Sequence, residues 1–190
     1  MEQDKLSVMY KPPIVVALDV SYYSTGVALF NSSGEFCLGL ITSKTAKNYG
    51  VNIYTYSFVP IRSDPIMIAC QLANQIINII DTPVSLIAIE DLAYGMYRSH
   101  DSAQFLGVLQ YLLRTQLCND VVFVPPTSVK KFAVGNGRAT KDMIVEQFRK
   151  ETNIQCDISD VVDAYYIGKY VLNELHKDLK GGSYETHSCN

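Results

Sequence analysis

No two cysteines of this sequence have Cys-x-x-Cys spacing, and its five cysteines are scattered along 190 residues. An odd, dispersed set favours neither a disulfide framework nor a structural zinc site, and it indicates reduced thiols in an intracellular protein. No apolar run approaches the ~18–20 residues of a membrane span. The polar beginning of the chain does not resemble a secretory signal, so we expect a soluble protein that does not engage membranes.

Charged residues are also scarce, at 18%, whereas hydrophobic residues make up 48%. This composition excludes a disordered or collagen-like chain and is typical of a packed globular protein, and the length fits one domain. We assign residues 1–12 to a polar lead-in, 13–177 to the domain and 178–190 to a disordered tail. The net charge of −3 does not by itself point to a polyanionic partner.

The apolar pattern predicts a sheet built around two buried strands. Continuous apolar runs at 14–19 and 84–90 are typical of strands that are covered on both faces. Residues 24–30 and 36–42 extend the first strand into an antiparallel meander, because Asn31-Ser32-Ser33-Gly34 between them is a turn sequence. Residues 121–124 predict a fifth, short strand.

Helices alternate with the later strands, so we expect an α/β fold with a mixed five-stranded sheet and helices on both faces. Residues 51–59 fit either a further strand or an ordered excursion, and the pattern does not decide between them. The predicted helices lie at about 64–80, 101–117, 127–133, 140–150 and 158–176.

Carboxylates follow both buried strands. Asp19 ends the first and Glu90 ends the second, and functional groups collect beyond the carboxyl ends of strands in open α/β sheets. Asp160 and Asp163 are three residues apart and so share one face of the last helix. Four converging acids would repel one another unless cations lay among them. The pattern predicts a site for two Mg²⁺ ions, with Mn²⁺ as a substitute, and metal-dependent hydrolysis of nucleic acid.

Each acid also has an ordinary explanation. Asp19 or Glu90 alone is an unremarkable start of a loop, and Asp157 is suited to cap the last helix with Asp160 in a capping box. These explanations do not account for carboxylates after both buried strands, which favours the catalytic interpretation of the set.

A basic segment lies between residues 127 and 150, where six basic residues face two acidic ones in a chain of net charge −3. Gly135-Asn136-Gly137 precedes a helix, and backbone N–H groups in such a loop can bind phosphate. Lysines there would give salt-sensitive, sequence-independent affinity for a nucleic-acid backbone. A plain turn with a solvated basic face explains this segment equally well. The candidate DNA contacts in this segment are Lys130, Lys131, Gly135, Gly137, Arg138 and Lys141. Tyr94, Tyr97 and Arg98 follow the second buried strand and are further candidates, since these side chains can stack on bases or pack within a loop.

Together these residues resemble the RuvC-type Holliday-junction resolvases of the RNase H-like nuclease superfamily. The resemblance covers residues 14–175 and rests on four pieces in order: Ala17-Leu18-Asp19-Val20-Ser21 with Thr25-Gly26, Ala88-Ile89-Glu90, Val129-Lys130 with Gly137, Ala139 and Lys141, and Asp160-Val161-Val162-Asp163-Ala164. The resemblance is to a phage or otherwise divergent member of the family. It implies that the protein is located in the cytoplasm of a bacterial or phage-infected cell.

The resemblance implies an RNase H-like sheet in which Asp19, Glu90, Asp160 and Asp163 are the metal-binding catalytic carboxylates. It also implies that Lys130 and Lys141 contact the DNA backbone near the scissile phosphate. Family members are homodimers that nick four-way junctions symmetrically, with the helix after Glu90 at the dimer seam. Branched DNA and a second copy are therefore the expected partners, and no small-molecule cofactor is expected.

Two departures accompany the resemblance. The family often has an aromatic residue three positions after the glutamate, where this chain has Ala93, so any wedge role would pass to Tyr94 or Tyr97. The stretch 43–60 is also longer than the family pattern implies.

Three rival functions remain open. A sugar-kinase or actin-type ATP-binding domain shares the Asp-x-x-x-x-Thr-Gly beginning but needs a second lobe. A non-catalytic protein that binds branched DNA could keep the fold without the activity. An RNA-processing nuclease of the same superfamily would keep the chemistry on another substrate.

Overall fold

The computed structural model describes residues 14–43, 53–57, 64–80, 84–91, 100–117 and 120–181. Along these ranges the chain forms a mixed α/β structure whose sheet has the order β4-β3-β2-β1-β5-β6. The strands are β1 Val15–Asp19, β2 Ser24–Phe30, β3 Phe36–Thr42, β4 Ile53–Ser57, β5 Leu86–Glu90 and β6 Val121–Val124. The helices are α1 Pro65–Ile79, α2 His100–Gln116, α3 Pro126–Val134, α4 Lys141–Thr152 and α5 Ser159–Gly181.

Within the described ranges the sheet has six strands, so the prediction of five was wrong. The additional strand is β4, the segment that the sequence pattern left undecided, and it pairs in parallel with β3 from Leu38↔Ile53 onward. Its short length and edge position explain the weak signal, since an edge strand needs no continuous apolar run. The remainder of the unusual stretch 43–60 lies mostly outside the described residues.

The central strand β1 is buried on both faces, as its apolar run predicts. Val16 and Leu18 pack into a core shared with α1 and α2, whereas Val15 and Ala17 pack into a second core with α3, α4 and α5. Neighbouring side chains of a strand point to opposite faces, so one strand supplies both layers. The helices therefore cover both faces of the sheet. No helix in the described ranges has the length and apolar character that crossing a bilayer requires.

Local signals explain several boundaries. The Asp64 side chain caps α1 by accepting from the backbone N–H of Ile66 at 2.8 Å and Met67 at 3.1 Å. At the hairpin between β2 and β3, Gly34 has φ of 81°, a conformation that favours glycine. The last helix runs from Ser159 to Gly181, so it ends later than the predicted range of about 158–176.

The N-terminal turn of α5 differs from the prediction. Val162 N–H donates to the Ile158 carbonyl at 3.2 Å, so Ile158 occupies the cap position and Asp157 lies one residue earlier. Asp157 instead forms an ion pair with Arg149. The predicted cap and capping box were therefore wrong, and Asp160 is free of that role.

Candidate metal centre

Asp19 and Glu90 lie side by side at the carboxyl ends of two neighbouring inner strands. Strands β1 and β5 pair in parallel with Leu18 opposite Ile89, so the next residue of each strand, Asp19 and Glu90, ends it at the same level. The adjacency of the two carboxylates rests on this parallel pairing. Both side chains belong to strands whose inner residues are fully buried, which fixes their positions.

Gly26 allows the first turn of α5 to lie close to these strand ends. Gly26 is the β2 partner of Asp19, and a Cβ atom on it would lie 1.8 Å from the Asp160 carbonyl oxygen. Only a residue without a side chain permits this approach. The backbone of Asp160 therefore lies directly against the strand that pairs with Asp19.

A second set of contacts holds α4 against α5. The carboxylate of Glu151, near the end of α4, accepts from the Tyr165 hydroxyl at 2.6 Å and forms an ion pair with Lys169. Burial and this carboxylate both raise the pKa of Tyr165, so the phenol stays neutral and donates. The contacts fix the orientation of α4, whose first residue is Lys141.

These elements enclose one cleft of about 300 Å³. It brings together all four predicted carboxylates and two of the predicted basic residues. Its lining residues are Asp19, Ser21, Ser24, Glu90, Pro126, Lys130, Lys141, Asp160 and Asp163.

Burial and mutual repulsion destabilise the ionised form of three acids in the cleft and so raise their pKa values. Burial, followed by the nearby Glu90, Asp163 and Asp160, raises the pKa of Asp19 to about 8, against the opposing effect of Lys141. Burial and Asp163 raise the pKa of Glu90 to about 7, and burial also raises the pKa of Asp163. All three carboxyl groups therefore hold their protons more tightly than free carboxyl groups do. A bound cation would displace these protons and relieve the same repulsion.

The donor set fits magnesium. Carboxylate oxygens are hard ligands of the type that Mg²⁺ and Mn²⁺ prefer, and four of them line a single cleft. Within the described ranges, no three acidic, histidine or cysteine side chains already have the spacing of a metal site. The carboxylates therefore have the right chemistry and line the same cleft, and metal binding requires some of their side chains to move closer together.

We expect the metal-free protein to lose stability as the pH rises from about 5 to about 8. The raised pKa values of Asp19 and Glu90 mean that the folded state holds protons that the unfolded chain, with carboxyl pKa near 4, has already released. Stability from this source is complete below about pH 4 and is lost as the pH passes the folded-state values. Melting temperatures in EDTA should fall by several degrees across this range, and Mg²⁺ should reverse the fall.

The control is the double variant Asp19→Asn and Glu90→Gln, in which the melting temperature should depend much less on pH. A melting temperature that rises from pH 5 to 8 in the unmodified protein would show that the four acids are not buried together.

Some predicted contacts lie apart from the cleft or have other roles. Lys131 and Arg138 are exposed and do not line it. Gly135 has φ of 75° and ends α3, and its N–H donates to the Lys131 carbonyl at 2.8 Å. That amide is therefore unavailable to a phosphate, and helix capping explains this glycine. The predicted contacts Tyr94, Tyr97 and Arg98 lie outside the described residues.

The hydroxyl groups around Asp160 were not among the residues predicted from the sequence. Ser24 Oγ donates to one Asp160 oxygen, and Ser159 Oγ donates to the other at 3.1 Å. Lys141 Nζ in turn donates to Ser159 Oγ at 3.2 Å. No motif marks such serines, because the contact from Ser24 spans 136 residues of sequence.

No protein-family model and no curated protein matches this sequence. Solved structures match its fold. Thermus thermophilus RuvC is 14% identical over 86% of this chain and 96% of that chain, with a TM-score of 0.58. T. thermophilus RuvC in complex with a Holliday junction substrate is 13% identical over 85% of this chain and 94% of that one, with a TM-score of 0.57.

A yeast protein gives the same result. The mitochondrial Holliday junction resolvase Ydc2 is 14% identical over 92% of this chain and 83% of that chain, with a TM-score of 0.51. Identities this low speak to the fold alone. The chain therefore has the fold of the RuvC-type Holliday-junction resolvases, as the resemblance of its sequence implies.

Proposed function

We propose that this protein is a Mg²⁺-dependent endonuclease that resolves four-way DNA junctions. The observation that carries the proposal is the cleft in which four carboxylates and two lysines meet. The fold supports the same substrate class, since one protein that shares it has been solved with a Holliday junction bound. Fold alone does not define an activity, so the proposed activity rests on the chemistry of the cleft.

Asp19, Glu90, Asp160 and Asp163 would hold the metal ions. Bound there, two divalent ions would activate water and stabilise the leaving oxygen of a phosphodiester. The chain's own part is to orient the DNA: Lys130 and Lys141 sit beside the carboxylates and attract the scissile phosphate into an otherwise acidic cleft. The hydrogen bond from Lys141 to Ser159 directs its ammonium group toward the acids of α5.

Paired nicks require two such clefts, so we propose a homodimer with α2 at its seam. Tyr111, on the outer face of α2, is 66% exposed, although the helix buries Phe105, Leu109 and Leu113 on its inner face. An exposed aromatic side chain of this kind is typical of protein interfaces. Selectivity for a branched substrate would then follow from DNA shape and from the spacing of the two sites.

The proposal is tested by offering the protein a four-way junction, a linear duplex of the same sequence and an RNA duplex, each with Mg²⁺ and with EDTA. The proposed function predicts symmetric nicks in the junction alone, only with Mg²⁺. Binding without cutting would support a non-catalytic junction-binding protein instead. Preferential cutting of RNA would support an RNA-processing nuclease, and thermal stabilisation by ATP would support the kinase-like rival.

We expect Lys141→Ala to reduce the cleavage rate about 10²-fold, because a positioned cation beside the reacting phosphate is lost. Lys131→Ala is the matched control, since Lys131 carries the same charge on the neighbouring α3 but does not line the cleft. Both variants should weaken junction binding and lower the salt dependence of binding by about one counterion.

Single-turnover cleavage at saturating protein separates the two effects. Only Lys141→Ala should remain slow when all the DNA is bound. Equal cleavage rates for the two variants under this condition would remove Lys141 from the proposed site.

A further inference from the structure

Ser24 links the beginning of β2 to the first turn of α5. Its Oγ donates to an oxygen of Asp160, and its side chain lines the acidic cleft. The backbone of Ser24 is itself held, because Ser21 Oγ donates to its carbonyl at 2.6 Å and accepts from its N–H at 3.1 Å. The hydroxyl that reaches Asp160 therefore comes from an anchored position.

The carboxylate of Asp160 is held on both of its oxygens. Ser159 Oγ donates to the oxygen that Ser24 leaves free, at 3.1 Å. An ionised carboxylate offers about four lone-pair sites, so two donors leave oxygen lone pairs for a cation. The two hydroxyl groups thus fix the orientation of the carboxylate without occupying all of its lone pairs.

The backbone of the same residue is fixed separately, by its close contact with Gly26. Asp160 is therefore constrained at its main chain by β2 and at its side chain by Ser24 and Ser159. A metal ligand that is already oriented loses less conformational freedom when the ion binds. Outer-shell hydrogen bonds to metal ligands typically contribute about 10–100-fold to metal affinity.

We propose that Ser24 is a positioning residue, which orients Asp160 for metal binding. The proposal rests on the proposed function, in which Asp160 is a ligand. It assigns Ser24 no contact with substrate: the residue acts through Asp160, and what matters is its hydroxyl group rather than its volume.

The test compares Ser24→Thr with Ser24→Val. The two variants have nearly the same shape and both suit a β-strand, but only threonine retains the hydroxyl group. Mn²⁺ affinity, measured by isothermal titration without DNA, should stay within about twofold of the unmodified protein for Ser24→Thr. It should fall about tenfold for Ser24→Val. Ser43→Val is the control, since the Ser43 hydroxyl donates only to the Tyr23 carbonyl among the described contacts and does not line the cleft.

A double-mutant cycle with Asp160→Asn shows whether Ser24 acts through Asp160. When each Ser24 variant is combined with Asp160→Asn, the Thr and Val variants should have equal Mn²⁺ affinities. Two results would refute the positioning role while the metal site stands. In the first, Asp160→Asn alone weakens Mn²⁺ binding but Ser24→Val does not. In the second, the Mn²⁺ affinities of the Val and Thr variants still differ when each is combined with Asp160→Asn. If Asp160→Asn leaves Mn²⁺ affinity unchanged, both the positioning role and the proposed metal site are overturned.

Discussion

Asp19→Asn should abolish metal-dependent cleavage and, at the same time, stabilise the metal-free protein. Asparagine keeps the shape of the side chain but removes one of the four charges that would hold the ions. Loss of several kcal/mol of transition-state stabilisation corresponds to a decrease in rate on the order of 10³-fold. We therefore expect junction cleavage to fall to background while junction binding persists.

The gain in stability follows from the raised pKa of Asp19, about 8. Below this pH the folded protein must retain a proton on a carboxyl group that the unfolded chain ionises freely, and above it the group must be charged while buried beside other acids. The asparagine side chain is neutral at every pH and therefore incurs neither cost. The advantage of Asp19→Asn should therefore be small near pH 4 and reach its full size, a few kcal/mol, above about pH 8.

Asp142→Asn is the matched control, since Asp142 is an exposed acid in the first turn of α4 that does not line the cleft. It should change neither cleavage nor the pH dependence of the melting temperature. Chemical denaturation at pH 5 and 8, alongside the cleavage assay, checks both effects. An Asp19→Asn protein that still cuts junctions, or that is less stable at pH 8, would exclude a shared acidic centre.

Gly26→Ala should destabilise the protein strongly, although it adds only a single methyl group. The added Cβ would meet the Asp160 carbonyl oxygen at 1.8 Å and the Val161 nitrogen at 2.7 Å. These are backbone atoms, which cannot move aside by changing rotamer, so α5 must shift away from β2. We expect a loss of about 3 kcal/mol or more, near the upper end for overpacked cores, and a melting temperature lower by about 10 °C.

The same shift would carry Asp160 and Asp163 away from Asp19, so cleavage should be lost even at temperatures where the variant is folded. Gly107→Ala provides the contrast. Gly107 lies within α2, and a Cβ there would meet nothing within 4 Å. It should stabilise the protein by about 0.5–1 kcal/mol, because alanine is the better helix former. A Gly26→Ala protein as stable and active as Gly107→Ala would refute the close packing of α5 on β2.

The features that the sequence predicted are those with a strong local cause. β1 and β5 were predictable because strands covered on both faces must be apolar throughout, and the carboxylates that end them stand out against that background. Asp160 and Asp163 were predictable as a pair because helical spacing alone puts them on one face. The adjacency of Asp19 and Glu90 needed the additional condition that the two buried strands are parallel neighbours.

The features that the sequence concealed depend on packing between distant segments. β4 is a short edge strand that takes its identity from pairing with β3. The role of Gly26 becomes visible only once α5 lies on it, and that of Ser24 only once Asp160 is beside it. Gly135 shows how one pattern allows two interpretations: a glycine-rich loop before a helix is typical of phosphate binding, and it is equally typical of a helix end, which is the role of Gly135 here.

The central claim is that Asp19, Glu90, Asp160 and Asp163 together bind divalent ions. Anomalous diffraction from crystals grown with Mn²⁺ tests it most directly, because the ions are located without reference to activity. We expect two anomalous peaks in the cleft, each about 2.0–2.3 Å from carboxylate oxygens of these four residues. A cleft without anomalous density at saturating Mn²⁺, or Mn²⁺ bound only elsewhere on the protein, would contradict it.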